Sequence, residues 1–173
     1  ILAVEALARV DASLAVVVDV QNTLVNNALL RWGSAEQKQR YLPRLASSWV
    51  GSYALSEQGS GSDAFALQAR AERKGSGWSL RGRKLWITNG TQADWMCCLA
   101  NTWEGSSHRN KSLIVVPMRT PGVTVARKIR KLGMHSSDTA QIHFDDVRVP
   151  QRYRIGDEGM GFTYQMQQFQ EER

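Results

Sequence analysis

Phe65-Ala66-Leu67-Gln68-Ala69-Arg70-Ala71-Glu72, residues 65–72, alternates in character. Phe65, Leu67, Ala69 and Ala71 fall on one side and Gln68, Arg70 and Glu72 on the other, and a period of two predicts a half-buried strand. The chain before it has a different period. From Leu2 to about Trp32, Leu14, Val17, Val18, Gln21, Leu24, Val25, Ala28 and Leu29 recur at helical spacing with no proline among them. This predicts two helices with a break near Asp11. Gly33 ends the second, and Ser34 followed three residues later by Gln37 is a capping-box pattern opening a third, which carries Tyr41, Leu42 and Leu45. Pro43 kinks or shortens that helix.

Beyond residue 72, further short strands are expected around Trp78–Leu80, Lys84–Thr88, Trp95–Ala100, Leu113–Val116, Val123–Ala126 and Ala140–Phe144. Turns such as Gly75-Ser76-Gly77 and Asn89-Gly90 separate them. Many short strands joined by turns predict an antiparallel barrel or sandwich. After Pro150 the Gly156–Gly161 loop leads into Phe162–Arg173, a run free of proline and glycine with Phe162, Gln165, Met166 and Phe169 on one side. The expected class is α+β. Residues 1–49 form the end of a helical domain, 50–156 a β domain, and 157–173 the start of a second helical region. Ile1 is not a methionine, so residues are expected before it, and the last helix breaks off at Arg173.

Of the 173 residues, 42% are hydrophobic and 22% charged, as in an ordinary soluble domain, and six Trp call for a core or a ligand. The net charge of +6 is spread along the chain, apart from Arg127-Lys128-Ile129-Arg130-Lys131. No interleaving of aromatic and basic residues favours nucleic acid, and an anionic small ligand is the simpler partner. Cys97 and Cys98 sit in an apolar run and read as small buried hydrophobes. No apolar stretch is long enough to cross a bilayer. His108 and His143 read as a loop and a strand-surface residue, since no second ligand stands at a zinc spacing.

Two stretches carry chemistry. Tyr53-Ala54-Leu55-Ser56-Glu57-Gln58-Gly59-Ser60-Gly61-Ser62-Asp63 follows a strand with small residues and hydroxyls, which lets backbone N–H groups approach a polar, anionic ligand; a plain turn is the other reading. Lys84-Leu85-Trp86-Ile87-Thr88-Asn89-Gly90 puts an indole and a hydroxyl two residues apart on one strand face. The indole can pack against a planar ring while the threonine bonds its edge. A core Trp beside a strand-favouring Thr is the alternative.

Taken together, at this separation and in this order, the two runs resemble the flavin-binding signatures of the acyl-CoA dehydrogenase family. The resemblance continues through Thr120-Pro121-Gly122-Val123, Leu132-Gly133, Ser137-Asp138-Thr139, Phe144–Pro150 and Gly159-Met160-Gly161-Phe162, and so spans the chain. It implies FAD as cofactor, held by Tyr53, Leu55, Ser56, Gly61, Ser62, Trp86, Ile87 and Thr88, and an acyl-CoA as substrate. It also implies electrons passed to an electron-transferring flavoprotein, a homotetramer, and a mitochondrial matrix or bacterial cytoplasmic location. In that family a carboxylate base removes the α-proton while hydride leaves Cβ for the flavin. Burial raises the base's pKa, and stabilising charge on the thioester oxygen makes the proton acidic enough.

Most family members carry the base in a later helical domain, but the isovaleryl and long-chain branches carry it on the first helix after the β domain. Glu172, before Arg173, matches those branches and is the candidate base. A solvated glutamate is the competing reading. Ser62, Phe162, Phe169, Gln170 and Arg173 are the substrate-side positions. The first half of the chain resembles the short/branched-chain branch, and its end the long-chain and citronellyl-type enzymes. His135 stands where Arg is common, and Gln58 where Pro or Ala is. An acyl-CoA oxidase and a catalytically incomplete FAD- and CoA-binding module are the rival readings.

Overall fold

The computed structural model describes residues 1–172. Helices α1 (Leu2–Ala8) and α2 (Ala12–Asp19) are separated at Asp11, whose carboxylate accepts the Ser13 N–H at 2.8 Å and caps α2. From α2 the chain winds without interruption through a π-helical stretch, Val20–Asn26, into α3 (Asn27–Trp32), which ends at Gly33. The π winding shifts the buried face. At one α pitch, Leu14 would share a side with Val25, Ala28 and Leu29, yet Leu14 is 48% exposed, while Val20 and Ala15 are buried and Val16 packs on the core. An extra residue in the winding moves everything upstream out of phase. Thr23 Oγ1 donates to the Asp19 carbonyl and Asn22 Nδ2 to that of Val18, both at 2.8 Å. The capping box at Ser34 and Gln37 forms as expected, and α4 (Ala35–Leu45) continues through Pro43.

Among the described residues eight strands follow: β1 (Gly51–Ala54), β2 (Arg70–Lys74), β3 (Gly77–Thr88), β4 (Trp95–Asn101), β5 (Lys111–Pro117), β6 (Val123–Lys128), β7 (Thr139–Pro150) and β8 (Arg154–Ile155). The sheet order is β6-β7-β3-β2-β4-β5-β8, with β1 also on β4. The expected antiparallel barrel or sandwich is corrected in strand direction and in closure. The sheet is mixed, because β1 runs parallel to β4 and β2 meets β4 in parallel at Arg70 and Asn101, and its path is not closed into a barrel.

The strand expected over 65–72 starts at Arg70. Asp63 accepts the Phe65 N–H at 3.0 Å and turns Ala64–Ala66 into a 3-10 turn, so Phe65 leaves the alternation while Leu67, Ala69 and Ala71 remain buried. The segments expected at 78–80 and 84–88 are one long strand.

The layers explain why β4 and β5 are buried on both faces. Trp95, Cys97, Leu99, Leu113 and Val115 pack towards the helices with Val25, Leu29 and Tyr41. Met96, Cys98, Ala100, Ile114 and Val116 pack towards Trp78, Leu80, Ile142 and Val147 of β3 and β7. Helix α5 (Gly161–Glu172) starts hard against β5: a Cβ on Gly161 would come within 2.8 Å of the Ser112 Cα. No described helix is long and apolar enough to cross a membrane.

Candidate active site

Strand β1, buried throughout, carries Tyr53 into the core and releases the chain at Leu55. The loop that follows is pinned from both ends. Leu85 N–H donates to the Ser56 carbonyl at 2.8 Å, and Glu57 and Ser60 exchange backbone hydrogen bonds in a tight turn. Beneath the loop lies Lys84, with no exposed surface, whose Nζ donates to the Leu55 carbonyl and to Glu57 Oε1, each at 2.9 Å. The Glu57 carboxylate also accepts the N–H groups of Gln68 and Ala69. One buried ion pair thus joins the loop, the approach to β2 and the middle of β3. Gly61 lacks positive φ, and a Cβ there would meet nothing within 4 Å. The protein's own packing does not require glycine there, whereas a closely approaching ligand would.

Trp86 departs from the simple strand. Lys84 pairs with Ile142 and Ile87 with Ala140, so three steps on β3 oppose two on β7. The extra residue is a β-bulge. Trp86 has φ 62°, a left-handed conformation uncommon for a bulky residue and costing roughly 1–3 kcal/mol. Lys84 and Ile87 both point inward as a result, and Trp86 stands 58% exposed at the cleft edge.

The cleft so formed has a volume of about 570 Å³. All eight expected cofactor positions line it: Tyr53, Leu55, Ser56, Gly61, Ser62, Trp86, Ile87 and Thr88. The opposite wall is α5, which contributes Phe162, Phe169 and Glu172 from among the expected residues. Gln170 is exposed and does not line the cleft, and Arg173 lies outside the described residues.

The walls are tied together by Gln168, which accepts from the Tyr53 hydroxyl at 3.0 Å and donates to the Leu24 carbonyl at 2.6 Å. Burial pushes the Tyr53 phenol well above its ordinary pKa, with Cys97, Cys98 and Glu172 adding to the rise, so it stays a neutral donor. Phe162 stacks on Phe65 at 4.2 Å, with His108 edge-on to both. The neighbouring Lys111 is 1% exposed and has its ammonium pKa lowered by burial; its Nζ donates to the Ser107 carbonyl and Asn110 Oδ1.

Val20, Leu24, Ala64, Phe65, Gln165 and Met166 complete the lining and were not singled out as site residues. The signal for Gln165 and Met166 was present in the helical face they share with Phe162 and Phe169. Among the described residues no cluster of three His, Cys, Asp or Glu could hold a metal.

The arrangement can cover a planar ring with an indole, offer hydroxyls at its edge, and oppose it with a carboxylate across an apolar gap. Residues 52–147 match the family model for the acyl-CoA dehydrogenase middle domain and residues 1–48 that for its N-terminal domain. The mitochondrial short/branched chain specific acyl-CoA dehydrogenase of Rattus norvegicus is 39% identical over 95% of this chain and 38% of its own length. The butyryl-CoA dehydrogenase structure from Megasphaera elsdenii superposes with a TM-score of 0.96 at 32% identity, covering 99% of this chain and 45% of that one. A Mycobacterium smegmatis glutaryl-CoA dehydrogenase solved with FADH2 gives a TM-score of 0.83 at 37% identity, covering 91% of this chain and 40% of its own. The chain therefore spans less than half the length of these relatives. Its sequence and fold agree on one assignment: the chain belongs to the acyl-CoA dehydrogenase family.

Proposed function

We propose that this chain forms the flavin- and thioester-binding part of an FAD-dependent enzyme that converts an acyl-CoA to its trans-2-enoyl-CoA. The observation that carries this reading is the single cleft in which the eight signature positions face Phe162, Phe169 and Glu172 of α5. Trp86 would cover one side of the flavin ring, and the Ser56 and Thr88 hydroxyls would hydrogen-bond its edge. The open space at Gly61 and the Ser62 hydroxyl fit a polar, anionic group of FAD or CoA. When bound, FAD supplies the hydride acceptor for the β-carbon.

Val20, Leu24, Met166 and Phe169 exclude water and surround the acyl chain, and Phe162 and Ser62 flank the CoA arm. Glu172 takes the α-proton onto its carboxylate. The electron-transferring flavoprotein is the acceptor, and the full-length protein is a homotetramer in the mitochondrial matrix or the bacterial cytoplasm.

The test is anaerobic mixing of the full-length, FAD-loaded protein with short and branched acyl-CoA esters. Bleaching of the oxidised flavin is expected. Glu172→Gln should slow bleaching about a thousandfold while flavin content is unchanged. Undiminished bleaching in the variant would assign the base to a residue beyond Arg173. Stoichiometric peroxide formed in air without another acceptor would identify an acyl-CoA oxidase instead.

A further inference from the structure

Gln165 is fully buried on α5, in the wall of the cleft, and neither its Oε1 nor its Nε2 has a hydrogen-bond partner among the described residues. Gln168, one turn further on, uses both ends of its amide. An amide left unpaired in the interior destabilises the ligand-free fold, which marks the group as one that another molecule satisfies.

We propose that Gln165 contacts substrate, pairing its carboxamide with an amide of the thioester arm of CoA. This rests on the reading of the cleft as an acyl-CoA site. The chemistry selects the partner. A carboxamide offers one donor group and one acceptor, and its complement is a second amide, which the pantetheine arm of every CoA ester carries and a plain alkyl chain lacks. Of the cleft-lining residues on α5, Phe162, Met166 and Phe169 are apolar, so Gln165 and Glu172 are the polar groups of that wall.

Their spacing fits a thioester. Seven residues are nearly two helical turns, which puts both on one face about 10 Å apart along the axis. Glu172 acts at the carbon beside the thioester carbonyl, and the arm's first amide lies beyond the sulfur and a two-carbon spacer. Towards the start of α5, Phe162 and the partly exposed Phe65 stack on each other and line the same cleft as Gln165.

The test uses the full-length, FAD-loaded protein and an unreactive alkyl-CoA thioether, with affinity read by calorimetry for wild type and Gln165→Met, a variant of similar volume. Affinity should fall about tenfold, whatever the alkyl length, with FAD affinity unchanged and the ligand-free melting temperature equal or higher. Unchanged thioether affinity in the variant overturns the proposal. So does a loss confined to acyl chains bearing their own amide or carboxyl, which would place the partner in the acyl group. A drop in FAD affinity, assigning Gln165 to the cofactor, or a lower melting temperature without loss of affinity, assigning it to a buried water, also overturns it. Failure of the wild type itself to bind the thioether overturns the acyl-CoA reading as well, which separates the two outcomes.

Discussion

A lysine ammonium with no exposed surface is stable only where its charge is fully answered, and Lys84 has a carbonyl and a carboxylate within 2.9 Å. Replacing it with methionine leaves Glu57 buried without its cation. We expect Lys84→Met to destabilise the fold by about 3 kcal/mol and to lower the melting temperature by roughly 6–12 °C, with weaker FAD binding as the loop at Leu55–Glu57 loosens. Thermal denaturation and flavin titration check both, and adding Glu57→Gln should restore part of the stability. At this scale the residue types of the site were legible, since the Trp-Ile-Thr run and the Ser/Gly loop are visible in one dimension. The left-handed backbone of Trp86 was not, because it follows from pairing with β7 some fifty-five residues away.

At the scale of elements, β3 and β7 each carry an extra residue against the other. Besides the bulge at Trp86, Leu80 pairs with Val147 and Gly82 with Phe144, so β7 bulges at Asp145 and Asp146, the latter with φ 49°. An aspartate tolerates that conformation better than most residues. Its carboxylate accepts from Ser79 and Arg148, with Lys74 and Arg81 nearby, and these contacts hold its pKa down to about 2. Because the folded value lies below the unfolded value of about 4, Asp146 adds stability above pH ~4 that disappears as pH falls through about 2. Asp146→Asn should therefore be less stable than wild type at neutral pH, with the difference vanishing in strong acid, as followed by denaturant titration across pH. Element types read well from the alternation and the caps. The parallel β1–β4 pairing did not, because local periodicity carries no information on strand direction.

For the whole molecule, the three layers make adjacent cysteines face two different cores, Cys97 the helices and Cys98 the other half of the sheet. Burial raises both thiol pKa values, that of Cys98 to about 11. Neither should react with a thiol reagent at pH 7–9 except at the rate of global unfolding, and labelling followed by mass spectrometry measures this. Fast modification of one cysteine before the other would show that one layer opens alone. The layering was hinted at by the unbroken apolar run of β4, but not which elements cover each face.

The π-helical stretch Val20–Asn26 bears on how such chains are compared. A helical wheel drawn through residues 12–32 at a single pitch assigns Leu14 to the interior and Ala15 to solvent, the reverse of their places in the fold. In an alignment of relatives, a one-residue gap within 20–26 is thus a change of winding and not a break in the helix. It would rotate the preceding turns about their axis while leaving α3, Asn27–Trp32, in register.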